Sequence, residues 1–171
     1  MPNTRSEPSD IQLLVLDVDG VLTDGRIYFG PRGEVLKVFD VRDGYGIKLL
    51  MKAGVQVAII TGRRSAMVAA RAKELGIKHV FQGAQDKLPV FERLCKKLKL
   101  TAAQCAYVGD DVVDVPVMEA VGLSFAVADA HPEALKAADM ATPNAGGRGA
   151  VRDICDLLIA ARRSNADASA T

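Results

Sequence analysis

The sequence predicts an α/β domain, a parallel sheet doubly wound with helices on both faces. Three observations predict it. Short apolar runs alternate with segments of helical periodicity along most of the 171 residues, the pattern of a parallel sheet with crossover helices. Glycines stop the helical segments at Gly54, Gly76 and Gly122, as helix C-termini favour. Three apolar runs end abruptly in polar residues, at Asp17-Val18-Asp19, Thr61-Gly62-Arg63 and Asp110-Asp111. In open α/β sheets the chemistry collects at such carboxyl ends of strands.

The elements follow in order. Residues 1–10 are polar, hold two prolines and lack an apolar stretch, so a disordered lead is expected and no signal peptide. A single domain is expected over 11–163. Its first strand is Ile11 to Leu16, apolar enough to be buried on both faces. Arg26-Ile27-Tyr28-Phe29 and Glu34 to Phe39 flank Gly30-Pro31-Arg32-Gly33, the mark of a hairpin at about 26–39 with a four-residue turn. A lone two-stranded ribbon is marginal in water, and this one is strongly apolar, so it must lie on something; a second subunit is a natural support. A helix is expected from Asp43, with Ile47, Leu50 and Met51 on one face, then a buried strand from Val55 to Ile60. The next helix turns Val68, Ala72 and Leu75 inward. A short strand at His79 to Phe81 leads to a helix from about Asp86, apolar at Phe91, Leu94, Cys95 and Leu98. Strands at Ala106–Val108 and Leu123–Val127 bracket a helix carrying Val117 and Val121. Pro132 to Ala137 is a short helix, Met140-Ala141 a last small strand, and Val151 to Arg163 a helix apolar at Ile154, Leu158 and Ala161. The small polar residues 164–171 are expected to be a disordered tail.

Composition removes several function classes. Twenty-two basic against twenty-one acidic residues give +1, which favours neither nucleic acid nor an anionic membrane as partner. No apolar run reaches spanning length. Cys95, Cys105 and Cys155 are odd in number and far apart, so each is expected as a small buried residue rather than part of a disulfide framework or zinc knuckle. A cytoplasmic protein is expected.

Asp17 and Asp19 point the same way on extended backbone and would share one small volume. Such a pair repels unless a cation or shared proton intervenes. Asp110 follows a neighbouring strand, with Asp111 beside it and Asp114 one turn on; for the latter two, helix capping is a sufficient reading taken alone. Three acids at adjacent strand ends call for a cation, and all-oxygen ligands suit a hard ion such as Mg²⁺. Thr61 and Gly62 offer a hydroxyl and an N–H at a helix start, where anions bind. Lys87 lies in a first helical turn, where a cation opposes the dipole; beside Thr61 it would complete a phosphate clamp. The set matches the needs of phosphoryl transfer.

Asp17-Val-Asp19-Gly-Val-Leu-Thr23, Thr61-Gly62, Lys87 and Gly109-Asp110-Asp111-Val-Val-Asp114, in that order, resemble the four motifs of the haloacid dehalogenase (HAD) superfamily of phosphatases. The resemblance implies a HAD-like Rossmannoid fold, Asp17 as nucleophile, and Asp19 as acid and then base. It also implies Mg²⁺ held by Asp17, the Asp19 backbone carbonyl and Asp110, phosphate bound by Thr61, Gly62 and Lys87, and Asp111 and Asp114 as support behind the metal. Neither gap between motifs has room for a cap domain. A neighbouring subunit would then have to wall the site, and a ring-like homotetramer with packed hairpins is expected.

Further stretches, Thr23-Asp24-Gly25, Phe39 to Gly46, Ala128 to Pro132 and Gly146 to Arg152, resemble the 3-deoxy-D-manno-octulosonate 8-phosphate (KDO 8-phosphate) phosphatases of lipopolysaccharide precursor synthesis. By that resemblance Asp19, Asp40, Val41, Arg42, Asp43, Gly44, Lys48, Arg63, Arg71 and Lys87 contact the sugar acid phosphate, some from a neighbouring subunit. Arg42 and Lys48 are expected to flank a helix start. Relatives acting on nine-carbon sugar acids tend to carry an acid after the Thr-Gly pair, so Arg63 favours the eight-carbon substrate. The alternatives are a nine-carbon sugar acid phosphatase, a non-catalytic phosphate-binding scaffold and a two-component receiver domain. In a receiver the phospho-acceptor follows a later strand, and the hairpin has no place.

Overall fold

A computed structural model describes residues 5–170. A six-stranded, wholly parallel sheet in the order β5-β4-β1-β6-β7-β8 forms its centre. The strands are β1 (Leu13–Leu16), β4 (Gln56–Ile60), β5 (His79–Phe81), β6 (Cys105–Gly109), β7 (Leu123–Ala126) and β8 (Met140–Ala141). A separate antiparallel hairpin, β2 (Tyr28–Gly30) with β3 (Gly33–Leu36), leaves the chain after β1. The helices are α1 (Val41–Lys52), α2 (Ala66–Leu75), α3 (Lys87–Leu98), α4 (Val115–Ala120), α5 (Pro132–Ala137) and α6 (Ala150–Ser169). Right-handed crossovers set α1 and α2, with α6 against α1, on one face, and α3, α4 and α5 on the other.

β1 is the innermost strand. All four of its residues are buried, because both faces carry helices and both edges carry strands. This is why the run reads as continuously apolar rather than alternating. The three cysteines are free and buried, with Cys95 Sγ 3.7 Å from Cys105 Sγ. Between β1 and β4 lie only the hairpin and α1, and no cap domain interrupts the fold.

Four expectations are corrected. The first helix begins at Val41 rather than at Asp43, because Asp40 caps it: its Oδ1 accepts from the Arg42 N–H at 2.7 Å. Arg42 and Lys48 therefore lie within α1 and do not flank its start. The hairpin turn holds two residues, Pro31 and Arg32, since Gly30 pairs with Gly33, whose φ of 110° closes the turn. The lead is ordered over the residues described: Arg5 pairs with Asp139, Ser6 N–H donates to the Gly122 carbonyl at 2.9 Å, and a 3₁₀ turn at Pro8–Asp10 packs on α6. Residues 1–4 of that lead lie outside the described residues. The supposed tail continues α6 as helix to Ser169; once a packed helix is nucleated, each added residue costs little, and Ala166 and Ala168 favour it. Residue 171 lies outside the described residues.

Candidate active site

Register brings the polar strand ends together. Leu16 of β1 lies opposite Ile59 of β4 and Val108 of β6, so Asp17, Thr61 and Asp110 emerge at one level. β1 is also where the winding reverses, with β4 and β5 to one side and β6, β7 and β8 to the other. That is the crevice in which doubly wound sheets bind ligands. A cleft of about 300 Å³ opens there, lined by Asp17, Asp19, Gly25, Thr61, Gly62, Arg63, Ala84, Gln85, Lys87, Asp110, Asp111 and Val113.

Asp17 is buried at the cleft floor. Its Oδ1 accepts from the Val18 N–H at 2.7 Å, and its Oδ2 is 3.0 Å from Lys87 Nζ. Burial pushes its carboxyl up to about 6 against the opposing pull of Lys87. The next turn is built by Thr23, whose hydroxyl oxygen accepts from the Gly20 and Gly25 N–H groups, each at 3.2 Å. Gly20 has a φ of +86°, and the Asp110 carboxylate packs where its side chain would stand. Only glycine meets both demands.

Lys87 lies buried in the first turn of α3 and binds Asp17 and Asp114, the latter at 2.7 Å. Burial opposes its charge, but the two carboxylates outweigh burial and hold it above its ordinary value. Asp114 is fully committed. Its Oδ1 accepts from Lys87 and from the buried Tyr107 hydroxyl at 2.6 Å; its Oδ2 accepts from the Asp110 and Asp111 N–H groups at 3.0 and 3.2 Å. It therefore organises the loop and the lysine rather than facing the cleft. Asp111 caps the 3₁₀ turn Val112–Asp114 through the Val112 N–H.

Thr61 is buried at the end of β4, its N–H donating to the Phe81 carbonyl at 2.9 Å. The sequence left helix capping open for it. Ser65 does that work instead, accepting from the Met67 N–H at 3.2 Å, and Thr61 lines the cleft. Gly62 is held by Gln85, whose side-chain amide donates to its carbonyl at 3.0 Å.

The donor set fits a hard divalent cation. Oxygens of Asp17, Asp110 and Asp114 lie within 4.8 Å of one another. Asp110 is pushed up to about 8 by burial and then by Asp17, Asp114 and Asp111, with Lys87 opposing. A cation between Asp17 and Asp110 would relieve that repulsion. Asp114, its lone pairs occupied, would stand behind them.

Two residues bonded to the cleft's Asp19 and Arg63 were not anticipated. Lys37, just beyond β3, reaches Asp19 Oδ1 at 2.5 Å and Glu34 Oε2 at 3.1 Å. Glu34 also accepts from Arg63 Nη2 at 3.2 Å, while Arg63 Nε stays 3.9 Å from Asp19 Oδ2. The available signal was a pair of opposite charges inside an otherwise apolar hairpin.

Several expected sugar-acid contacts lie away from this cleft. Asp40 is a helix cap, paired with Arg42, which also reaches the Arg148 carbonyl. Val41 and Lys48 are exposed on α1. Arg71 lies under the Asp40–Gly44 turn, donating to Glu74 and to the Asp40 carbonyl and lying over Phe39. Gly44 is buried against it. Asp43 is buried; its Oδ1 accepts from the Arg152 N–H at 2.9 Å and ties α1 to α6, while its Oδ2 is buried without a partner among the described residues.

Comparison with known proteins agrees with the motifs. Residues 37–122 match the family model of haloacid dehalogenase-like hydrolases. The chain is 54% identical over 161 residues to the 3-deoxy-D-manno-octulosonate 8-phosphate phosphatase of Salmonella typhimurium, covering 94% of this chain and 86% of that one. The crystal structure of the Yersinia pestis phosphatase of the same name superposes with a TM-score of 0.89 at 52% identity, over 91% of this chain and 84% of that one. The Moraxella catarrhalis phosphatase, crystallised with magnesium, phosphate and KDO, gives 0.89 at 41% identity, over 95% and 94%. The chain thus belongs to the 3-deoxy-D-manno-octulosonate 8-phosphate phosphatase family of the haloacid dehalogenase-like hydrolases.

Proposed function

We propose that this chain hydrolyses 3-deoxy-D-manno-octulosonate 8-phosphate to the free sugar acid and phosphate through an aspartyl-phosphate on Asp17. The convergence of Asp17, Thr61, Lys87 and Asp110 on one cleft at the sheet's switch point carries this reading. An Asp17 carboxylate oxygen attacks phosphorus as the bond to the sugar O8 breaks, and Asp19 gives its proton to the departing oxygen. Asp19 then takes a proton from water, which attacks the same phosphorus and releases phosphate from Asp17. Lys87, the Thr61 hydroxyl and the Gly62 N–H hold the phosphoryl oxygens throughout. When bound by Asp17, the Asp19 carbonyl and Asp110, Mg²⁺ supplies charge neutralisation at those oxygens.

Arg63 lines the cleft and is the cation we assign to the sugar carboxylate. Arg42 and Lys48 are exposed on α1 and Arg71 is half-buried on α2, all outside the cleft, which supports a role in a neighbouring subunit's site. The hairpin supports assembly: Phe29 is 75% and Val35 62% exposed, more apolar surface than an isolated ribbon would leave to water. A homotetramer whose hairpins pack together is the arrangement we favour, and a monomer by light scattering at micromolar concentration would contradict it. No helix among the described residues is long and apolar enough to cross a membrane. We assign the reaction to the cytoplasm.

The substrate assignment is tested by kcat/KM for the eight-carbon and nine-carbon sugar acid phosphates. The eight-carbon compound is expected to be preferred, and Arg63→Glu to reduce that preference. Preference for the nine-carbon compound by the wild type would overturn the assignment.

A further inference from the structure

The hairpin does more than present an apolar face. Lys37 is a lysine on a surface ribbon, yet its side chain is only 2% exposed. Withdrawing an ammonium from water is costly unless carboxylates meet it in good geometry. Here two do, Asp19 Oδ1 at 2.5 Å and Glu34 Oε2 at 3.1 Å. Arg63 adds a second cation on Glu34 at 3.2 Å. Asp19, Glu34, Lys37 and Arg63 thus form a neutral cluster of two acids and two bases. Burial works against the Glu34 charge, but the bonds from Lys37 and Arg63 outweigh it and hold its carboxyl below the ordinary value. Its second oxygen, Oε1, is buried without a partner. Support for the ribbon alone would need neither that orphaned oxygen nor the Asp19 contact.

The two oxygens of Asp19 are treated differently. Oδ1 is gripped by Lys37, whereas Oδ2 has only Arg63 Nε at 3.9 Å, beyond a hydrogen bond. A carboxylate gripped at one oxygen has its free oxygen fixed in direction, as proton transfer requires.

We propose that Lys37, braced by Glu34, is a positioning residue that aims Asp19 Oδ2 at the bridging oxygen, so that the hairpin of this chain completes its own active site. The proposal rests on the aspartyl-phosphate reading above. In that reaction Oδ2 carries the proton that goes to the sugar O8 as the phosphorus–oxygen bond breaks. It then receives the proton of the water that attacks the aspartyl-phosphate.

The test is kinetic, using KDO 8-phosphate and p-nitrophenyl phosphate, whose phenolate departs without a proton. With Lys37→Met, kcat on KDO 8-phosphate is expected to fall about a hundredfold, the scale of a misaimed acid–base group, while KM stays within about threefold. On p-nitrophenyl phosphate the same variant is expected to give a burst of phenolate matching the sites and then slow turnover. The first step there needs no acid, and the second still needs the base. Lys37→Arg is expected to restore part of the loss. Glu34→Gln, which keeps the shape of the brace, is expected to show the same burst with a smaller fall in kcat, and it decides the matter if Lys37→Met does not fold. An unchanged kcat, or loss of burst and turnover in equal proportion, would overturn the proposal. Asp17→Asn run in parallel separates the two readings: turnover by that variant defeats the aspartyl-phosphate itself, whereas an inactive Asp17→Asn beside an unaffected Lys37→Met defeats only the role of Lys37.

Discussion

Asp114 shows how one buried side chain can govern a site it does not face. Four donors converge on its two oxygens, from Lys87, Tyr107 and the Asp110 and Asp111 backbone. Asp114→Ala strands the Tyr107 hydroxyl and two N–H groups and leaves Lys87 with Asp17 alone. Breaking a buried charge pair in this way costs about 3–5 kcal/mol, read as a fall in the denaturant midpoint together with near-complete loss of turnover. Tyr107→Phe removes one hydrogen bond and leaves the lysine pair intact, so a loss of about 1 kcal/mol is expected with activity largely kept. Asp43 gives a pH signature. Burial pushes its carboxyl up to about 6, with Asp40 adding to the effect and the Arg152 and Gly149 N–H groups and Arg42 opposing it. Between its ordinary value and about 6 the fold binds this proton more tightly than the unfolded chain does. Its contribution to stability therefore falls as pH rises through that window. Asp43→Asn should flatten the slope of unfolding free energy against pH between about 4 and 6 relative to wild type; an unchanged slope contradicts the assignment. Asp17, Thr61 and Asp110 were legible because each ends an apolar run, and their convergence follows from strand register. Lys37, Glu34 and Tyr107 were not, because their partners lie across the fold and no local spacing announces such contacts.

Among the elements, the hairpin carries the most consequence. One face bears Glu34 and Lys37 toward the cleft, while Phe29, Val35 and Val38 stand in solvent. Under the proposed assembly, Phe29→Asp is expected to reduce the particle mass in light scattering and to raise KM for the sugar acid phosphate, because a wall supplied by a neighbour would be lost. An unchanged mass would show that this surface is not the contact between subunits. The hairpin was legible from its turn and apolar strands, but its two-residue loop was not, since Gly33 joins the ladder instead of the turn. The same limit applies at α1, where Asp40 captures the Arg42 N–H and starts the helix earlier than the apolar spacing implies. Helix centres follow periodicity, whereas their ends follow caps. The last helix outruns its apolar face for a related reason: residues 164–169 are exposed, and helix extension there needs no packing partner.

For the whole molecule, the doubly wound order was legible from the alternation of strand and helix, and the crevice at β1 follows from it. Sequence could not say which cations lie in this protomer's cleft. That depends on the side of α1 and α2 from which Arg42, Lys48 and Arg71 project. A cation that offsets the repulsion of Asp17 and Asp110 should bind the folded state alone. Mg²⁺ at a hundredfold excess over its Kd is then expected to add about 2.7 kcal/mol of stability, with Asp110→Asn abolishing most of that gain. The most direct measurement is phosphate release from 3-deoxy-D-manno-octulosonate 8-phosphate by wild type and Asp17→Asn, each with Mg²⁺ and with a chelator. Release by the wild type with Mg²⁺ alone, and none by Asp17→Asn, is the expected result. Turnover by Asp17→Asn, or equal wild-type release in the chelator, would contradict the account.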